Sequence, residues 1–119
     1  MLKEKIKGYI ERIKGIEGIL DCALISRDGI MLGKSLEGEF NEPWLAAMCA
    51  TLFASAESTS AILKLQPPDA VSIMIRETTI MVLGAGEKLL IVAVVGNTGT
   101  ATPGIKRLED LAGEIGGSF

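Results

Sequence analysis

Histidine is absent from this sequence. With it go the imidazole base of a Ser–His–Asp triad, the commonest metal ligand and the side chain that ordinarily titrates near neutral pH. Cysteine is nearly absent too. Cys22 and Cys49 lie in separate segments, each among apolar neighbours. Two such thiols are no disulfide framework; they read as free, buried small hydrophobes of a chain in a reducing cytoplasm. Aromatic residues make up only 4%, too few to line a typical small-molecule pocket. No uninterrupted apolar run approaches the roughly 18–20 residues of a membrane helix. The opening stretch, MLKEKIKGYIERIK, mixes acids with its bases and has no apolar signal core. Neither a transmembrane segment nor an export signal is expected.

What is present describes one folded domain over residues 1–119. The chain is 48% apolar and 23% charged, which excludes disorder and supplies one core. A net charge of −3 argues against a nucleic-acid surface. The charge is uneven: residues 1–14 hold five bases and two acids, leaving −6 for the remainder. That basic segment offers either a solvated helix face or contact with an acidic partner or membrane surface.

Leu2, Ile6, Tyr9, Ile10 and Ile13 recur at steps of three and four, the stripe of a helix that Gly15 and Gly18 end. Ile19–Ser26 and Ile30–Ser35 read as strands joined by Arg27-Asp28-Gly29, and Asp-Gly is hairpin chemistry. After a polar loop bearing Glu37, Glu39 and Glu42, Asn41 is an N-cap for a helix from Glu42 to Lys64, which Gln66-Pro67-Pro68 stops. Val71, Ile73 and Ile75 alternate with Ser72, Met74 and Arg76 in a half-buried strand. Strands over Thr79–Leu83 and Leu89–Val95 follow, the last apolar throughout and so covered on both faces. Thr102-Pro103 opens a final helix with the stripe Ile105, Leu108, Leu111, Ala112, Ile115, ended by Gly116-Gly117. The order is α-β-β-α-β-β-β-α. The fold class is α+β: one five-stranded antiparallel sheet, the long central helix on one face and the two terminal helices on the other.

The central helix is the unusual element. On a helical wheel Leu45, Cys49, Leu52, Ala56 and Leu63 share a face, flanked by Met48 and Phe53, and that face suits the sheet. The opposite side carries Ala46, Ala47, Ala50, Ala54 and Ala61 with Thr51, Ser58 and one charge, Glu57. A helix meeting only water there would also use Glu, Lys and Arg, whose propensity is similar to that of alanine. A helix apolar all round is covered all round. The second side is therefore expected to meet another chain, most simply a second copy across a two-fold axis.

No catalytic constellation emerges. Ser26, Ser35, Ser55, Ser58 and Ser60 have no histidine to activate them. The Glu37–Glu42 acids read as a solvated loop, and Gly84-Ala85-Gly86 lies between two strands as a hairpin turn. Gly96-Asn97-Thr98-Gly99 precedes a helix, where an anion could rest on backbone N–H groups, yet it has no Walker lysine and reads as a connector. No cofactor and no metal site is expected.

Ile16–Ser35 (IEGILDCALISRDGIMLGKS), Leu45–Ser58 (LAAMCATLFASAES) and the element order resemble the roadblock/dynein light-chain family. The likeness is strongest to its stand-alone prokaryotic members, among them regulators of a gliding-motility GTPase. The resemblance implies a roadblock/profilin-like fold and a non-enzymatic protein that regulates or scaffolds a small Ras-like GTPase. It implies a dimer whose central helices lie side by side and whose third strands pair antiparallel. Carried onto this chain, the dimer positions are Ala46, Ala47, Ala50, Ala54, Glu57, Ser58 and Ala61, with Ser72, Met74 and Arg76 on the pairing strand. The implied GTPase surface takes in Arg27, Asp28, Glu42, Thr51 and Ser55, with Arg27 the candidate for an inserted arginine. The second place in the dimer is open to a paralogue. A small-ligand sensor, or an assembly subunit with no GTPase partner, are the alternative readings.

Overall fold

The computed structural model describes residues 2–96 and 101–119. It contains helix α1 (Leu2–Lys14), strands β1 (Ile19–Ser26) and β2 (Met31–Lys34) and helix α2 (Glu42–Ile62). Strands β3 (Ala70–Ile75), β4 (Thr78–Ala85) and β5 (Leu89–Gly96) and helix α3 (Ala101–Ser118) follow. The five strands form one sheet in the order β2-β1-β5-β4-β3, and every neighbouring pair is antiparallel. Element order and layering are those expected from the sequence. The segment read as a connector, 97–99 of Gly96-Asn97-Thr98-Gly99, lies outside the described residues, as does the side chain of Thr102 read as a cap.

β5 is central because it is apolar at every position. Leu89, Ile91, Ala93 and Val95 enter one core with Cys22, Leu24 and Leu83, beneath Ile6, Ile10 and Ile13 of α1 and Leu108, Leu111 and Ile115 of α3. Leu90 and Val92 point the other way, with Ala23, Ile25 and Val82, to meet Ala46, Cys49, Ala50 and Phe53 of α2. By length and mean hydropathy, 1.3, α2 meets the measure of a membrane-crossing helix. Counting uninterrupted apolar runs does not register this. In this fold one strip of it lies on the sheet.

The β1–β2 connection is a turn closed by Gly29 N–H donating to the Ser26 carbonyl at 3.0 Å. Gly29 sits at φ +86 with its Cα facing the Ala47 backbone, which explains the glycine after Asp28. Asp21 acquires a reason as well. A bulge between Ile19 and Asp21 pushes Leu20 out of the ladder. The Asp21 carboxylate then accepts from Lys14 Nζ at 3.0 Å and from the Ser35 hydroxyl at 3.4 Å.

Two helix ends differ from expectation. α2 ends at Ile62, not Lys64. Leu65 N–H donates to the Ser60 carbonyl and Lys64 N–H to that of Ala61, with Lys64 left-handed at φ +59. This Schellman motif, rather than the prolines beyond it, closes the helix. α3 runs through Gly116 and Gly117 to Ser118. Gly116 is not a stop signal. It is where the helix touches the β4–β5 turn: a Cβ there would lie 2.7 Å from Gly86 Cα. Gly116→Ala should therefore destabilise the fold by about 2 kcal/mol and lower Tm by about 10 °C. Thermal melts followed by circular dichroism check this, with the helix-neutral control Gly113→Ala, where a Cβ meets nothing, melting no lower than the parent.

Candidate functional site: an unpartnered helix face and a bare sheet edge

α2 begins on a side-chain cap, Trp44 N–H donating to Asn41 Oδ1 at 3.0 Å. Its phase on the sheet is set by Phe53, the largest side chain it buries. This corrects the expected facing. Ala46 and Ala50, read as dimer positions, are buried against the sheet, because only a small residue fits where the helix comes closest to it. Leu45 and Leu52, read as sheet-facing, are half-buried on its flank. Ala47 is half-buried, and Ala54, Ser58 and Ala61 are exposed. Glu57 is occupied within the chain, taking Arg27 Nη1 at 3.1 Å.

The outward residues of α2 include Trp44, Met48, Thr51, Ser55, Ser58 and Ile62, all exposed, beside Ala54, Thr59 and Ala61. Trp44 is 70% exposed, Met48 57% and Ile62 79%. The spacing from Trp44 to Ile62 is four, three, four, three, four, which places these six along one line of the helix surface, a seam on its outward side. The spacing reads the same in both directions about Phe53. In an antiparallel pair of α2 helices related by a two-fold axis, Trp44 would face the second copy's Ile62, Met48 its Ser58, and Thr51 its Ser55. Large residues stand at the ends and small ones in the middle, where the axes would cross. Sequence reasoning did not single out Trp44 and Ile62 and set Met48 on the flank of the sheet-facing side, because their common face appears only once the phase of α2 is known.

The two sheet edges differ in kind. β2 has four residues, a bulge opposite Leu24/Ile25, and a lysine, Lys34, which are devices that discourage strand addition. β3 has six residues in unbroken register with β4 and no charge or proline (AVSIMI). Met74 is 83% exposed and Ser72 and Ile75 are also open. Arg76 lies just past the strand, in the turn, left-handed at φ +49, and so is not on the pairing strand itself. Along its outer side β3 offers an unpaired ladder.

Arg27 does not stand free beside the hairpin. Its guanidinium donates to Glu57 Oε2 and to the Gly86 carbonyl, 2.8 Å away, and lies 5.0 Å from the Phe53 ring centroid. It ties the β1–β2 turn, α2 and the β4–β5 turn together. Glu42 is paired with Lys34 at 3.1 Å. Asp28 is exposed. Thr51 and Ser55 fall in the middle of the seam. Beside the seam a groove of about 470 Å³ runs between the start of α2 and the sheet, lined by Leu36, Phe40, Trp44, Met48, Ile80 and Val94 among others. Among the described residues no three cysteine or acidic side chains converge as cation ligands.

A model of the Roadblock/LC7 domain matches residues 5–95. The chain belongs to the Roadblock/LC7 domain family. No curated relative matches it in sequence. The Roadblock/LC7 fold is seen directly in its structural likenesses. Myxococcus xanthus MglB aligns at TM-score 0.81 and 15% identity, over 97% of this chain and 97% of that one. The gliding protein MglB of Thermus thermophilus gives 0.77 and 20%, over 98% and 92%. Schizosaccharomyces pombe profilin gives 0.69 and 16%, over 99% and 98%. The expected roadblock/profilin-like architecture is therefore the observed one.

Both thiols are buried and free, Cys22 on β1 beneath α1 and Cys49 on the sheet-facing side of α2, on opposite faces of the sheet. Burial raises both pKa values. At Cys22 the Ser35 hydroxyl and Lys14 work against burial and Asp21 works with it. A raised thiol pKa favours folding below the unfolded thiol pKa, and that contribution is lost as pH rises through the folded one. Alkylation by iodoacetamide in native buffer should be slow at both cysteines at pH 8 and complete within minutes in denaturant, read by mass spectrometry.

Proposed function

We propose that this Roadblock/LC7 chain is a non-catalytic regulator or scaffold that acts as a cytoplasmic homodimer and binds a small Ras-like GTPase. The observation that carries the reading is the outward face of α2. A 21-residue helix with one charge in its body, a tryptophan, a methionine and an isoleucine in the open, and a seam symmetric about its own middle is suited to a copy of itself. The bare edge of β3 supports the same partner, since antiparallel pairing of two β3 strands satisfies both ladders at once and joins two five-stranded sheets. Ala54, Ser58, Ala61, Ser72 and Met74 belong to this interface, and Ala47 borders it. Thr51 and Ser55 pass from the GTPase surface to the self-association seam, whose centre they occupy.

Family membership supports the GTPase. The surface left to it is the part of the groove beyond the seam, lined by Leu36, Phe40 and Val94, together with the exposed Asp28. A partner whose switch loops move with nucleotide state would dock there in one state only, and its equilibrium would shift by the difference in affinity. Arg27, already engaged with Glu57, Gly86 and Phe53, acts by holding α2 in place rather than by entering the partner's active site.

Two measurements test this. Ser55→Arg places a charge at the centre of the seam on a surface exposed in the single chain, so it should leave the melt unchanged. It should weaken self-association by about a hundredfold or more, the effect of burying an unpaired charge. Sedimentation velocity at micromolar concentration should give a dimer for the parent and a monomer for the variant; a monomeric parent removes the homodimer. Pull-downs with each small Ras-like GTPase of the source genome, loaded with GDP or a non-hydrolysable GTP analogue, should recover one in a single nucleotide state. Recovery of none removes the GTPase reading and leaves a scaffold.

A further inference from the structure

The first turn of α1 overhangs the sheet on the face away from α2. The inward stripe of the helix starts at Leu2, one turn before Ile6, yet Leu2 is exposed while Ile6 is buried. Beneath this overhang runs a groove of about 590 Å³, completed by Leu32 of β2, Leu89 of β5 and Phe119 after α3. Its volume falls within the range of small-molecule sites, and its lining apart from two lysines is apolar.

Every polar side chain at the groove carries the same charge. Lys3 and Lys88 line it. Lys5 Nζ, which donates to the Ser118 carbonyl at 2.9 Å, stands 4.7 Å from the centroid of the Phe119 ring. Among the described residues no hydroxyl, amide or carboxylate side chain is in the lining. An occupant that brings donors and acceptors along its whole length, as a peptide does, would lose hydrogen bonds to water without replacing them. A hydrocarbon chain would not. The positive rim, Lys3 of the basic first helix and Lys88 of the β4–β5 turn, selects an anion at one end.

We infer that this groove binds an anionic single-chain amphiphile of the fatty-carboxylate class. The chain lies along Leu32, Leu89 and Phe119, and the carboxylate rests between the ammonium groups of Lys3 and Lys88. The site is on the opposite face of the sheet from the α2 seam and is independent of it.

The test is isothermal titration of the full-length chain with decanoate, below its micelle concentration, against decan-1-ol. Decanoate should bind saturably at one site and more tightly than the alcohol. Lys3→Glu and Lys88→Glu, both at exposed positions, should each weaken it about fivefold. Leu32→Trp, which fills the groove from an edge strand, should abolish binding while the far-UV spectrum and melt stay those of the parent. Four results overturn the proposal: no decanoate binding, equal binding of the alcohol, undiminished binding by Lys88→Glu, or association with phosphatidylglycerol vesicles without binding of free decanoate. Displacement of decanoate by a glutamate oligomer would also overturn it, in favour of an acidic peptide.

Discussion

β5 carries apolar side chains on both of its sides, so both faces of the sheet have to be kept dry. That single demand sets the layers. α1 and α3 share one face, where Ile13, Leu108 and Ile115 are wholly buried over Ile91 and Ala93. α2 alone covers the other, and it does so with a narrow strip centred on Phe53. A helix that fastens itself by one strip has the rest of its circumference to spare. In α2 the spare part is apolar at its ends and small in its middle, which is costly to leave in water and well shaped for another helix.

The edges of the sheet tell a complementary story. β2 is short, bulged and bears a lysine; β3 is flat, uncharged and open. One edge is guarded against addition and the other is open. The helix seam and the open strand arise from independent physical requirements, the first from side-chain packing and the second from backbone hydrogen bonds. A second copy of the chain would meet both.

Much of this was legible in the sequence. The stripes of α1 and α3, the alternation in β3, the Asp28-Gly29 turn and the Asn41 cap each rest on local spacing or local chemistry, and the structure places the elements there within two residues or so. The facing of α2 was not legible. Leucines at 45, 52 and 63 suggest one phase, but the helix is apolar all round, so periodicity carries little information, and Phe53 with the small residues Ala46 and Ala50 fixes another. The role of Arg27 was hidden as well. A charged residue beside a turn reads as solvated until Glu57, 30 residues on, and Gly86 are brought alongside it. Gly116 read as a stop because glycine within a helix usually costs stability; its reason is a contact that exists only in three dimensions.

That contact has a mechanical consequence. Between Gly116 in α3 and Gly86 in the β4–β5 turn there is no side chain at all, only backbone against backbone. Side chains act as cushions that change rotamer when two elements shift; here nothing of the kind intervenes. The end of the last helix and the tip of the hairpin thus touch directly, and no rotamer change is available there to absorb a shift of one against the other. Arg27 grips the same turn from the far side of the sheet through the Gly86 carbonyl, so elements on both faces of the sheet meet at this one turn.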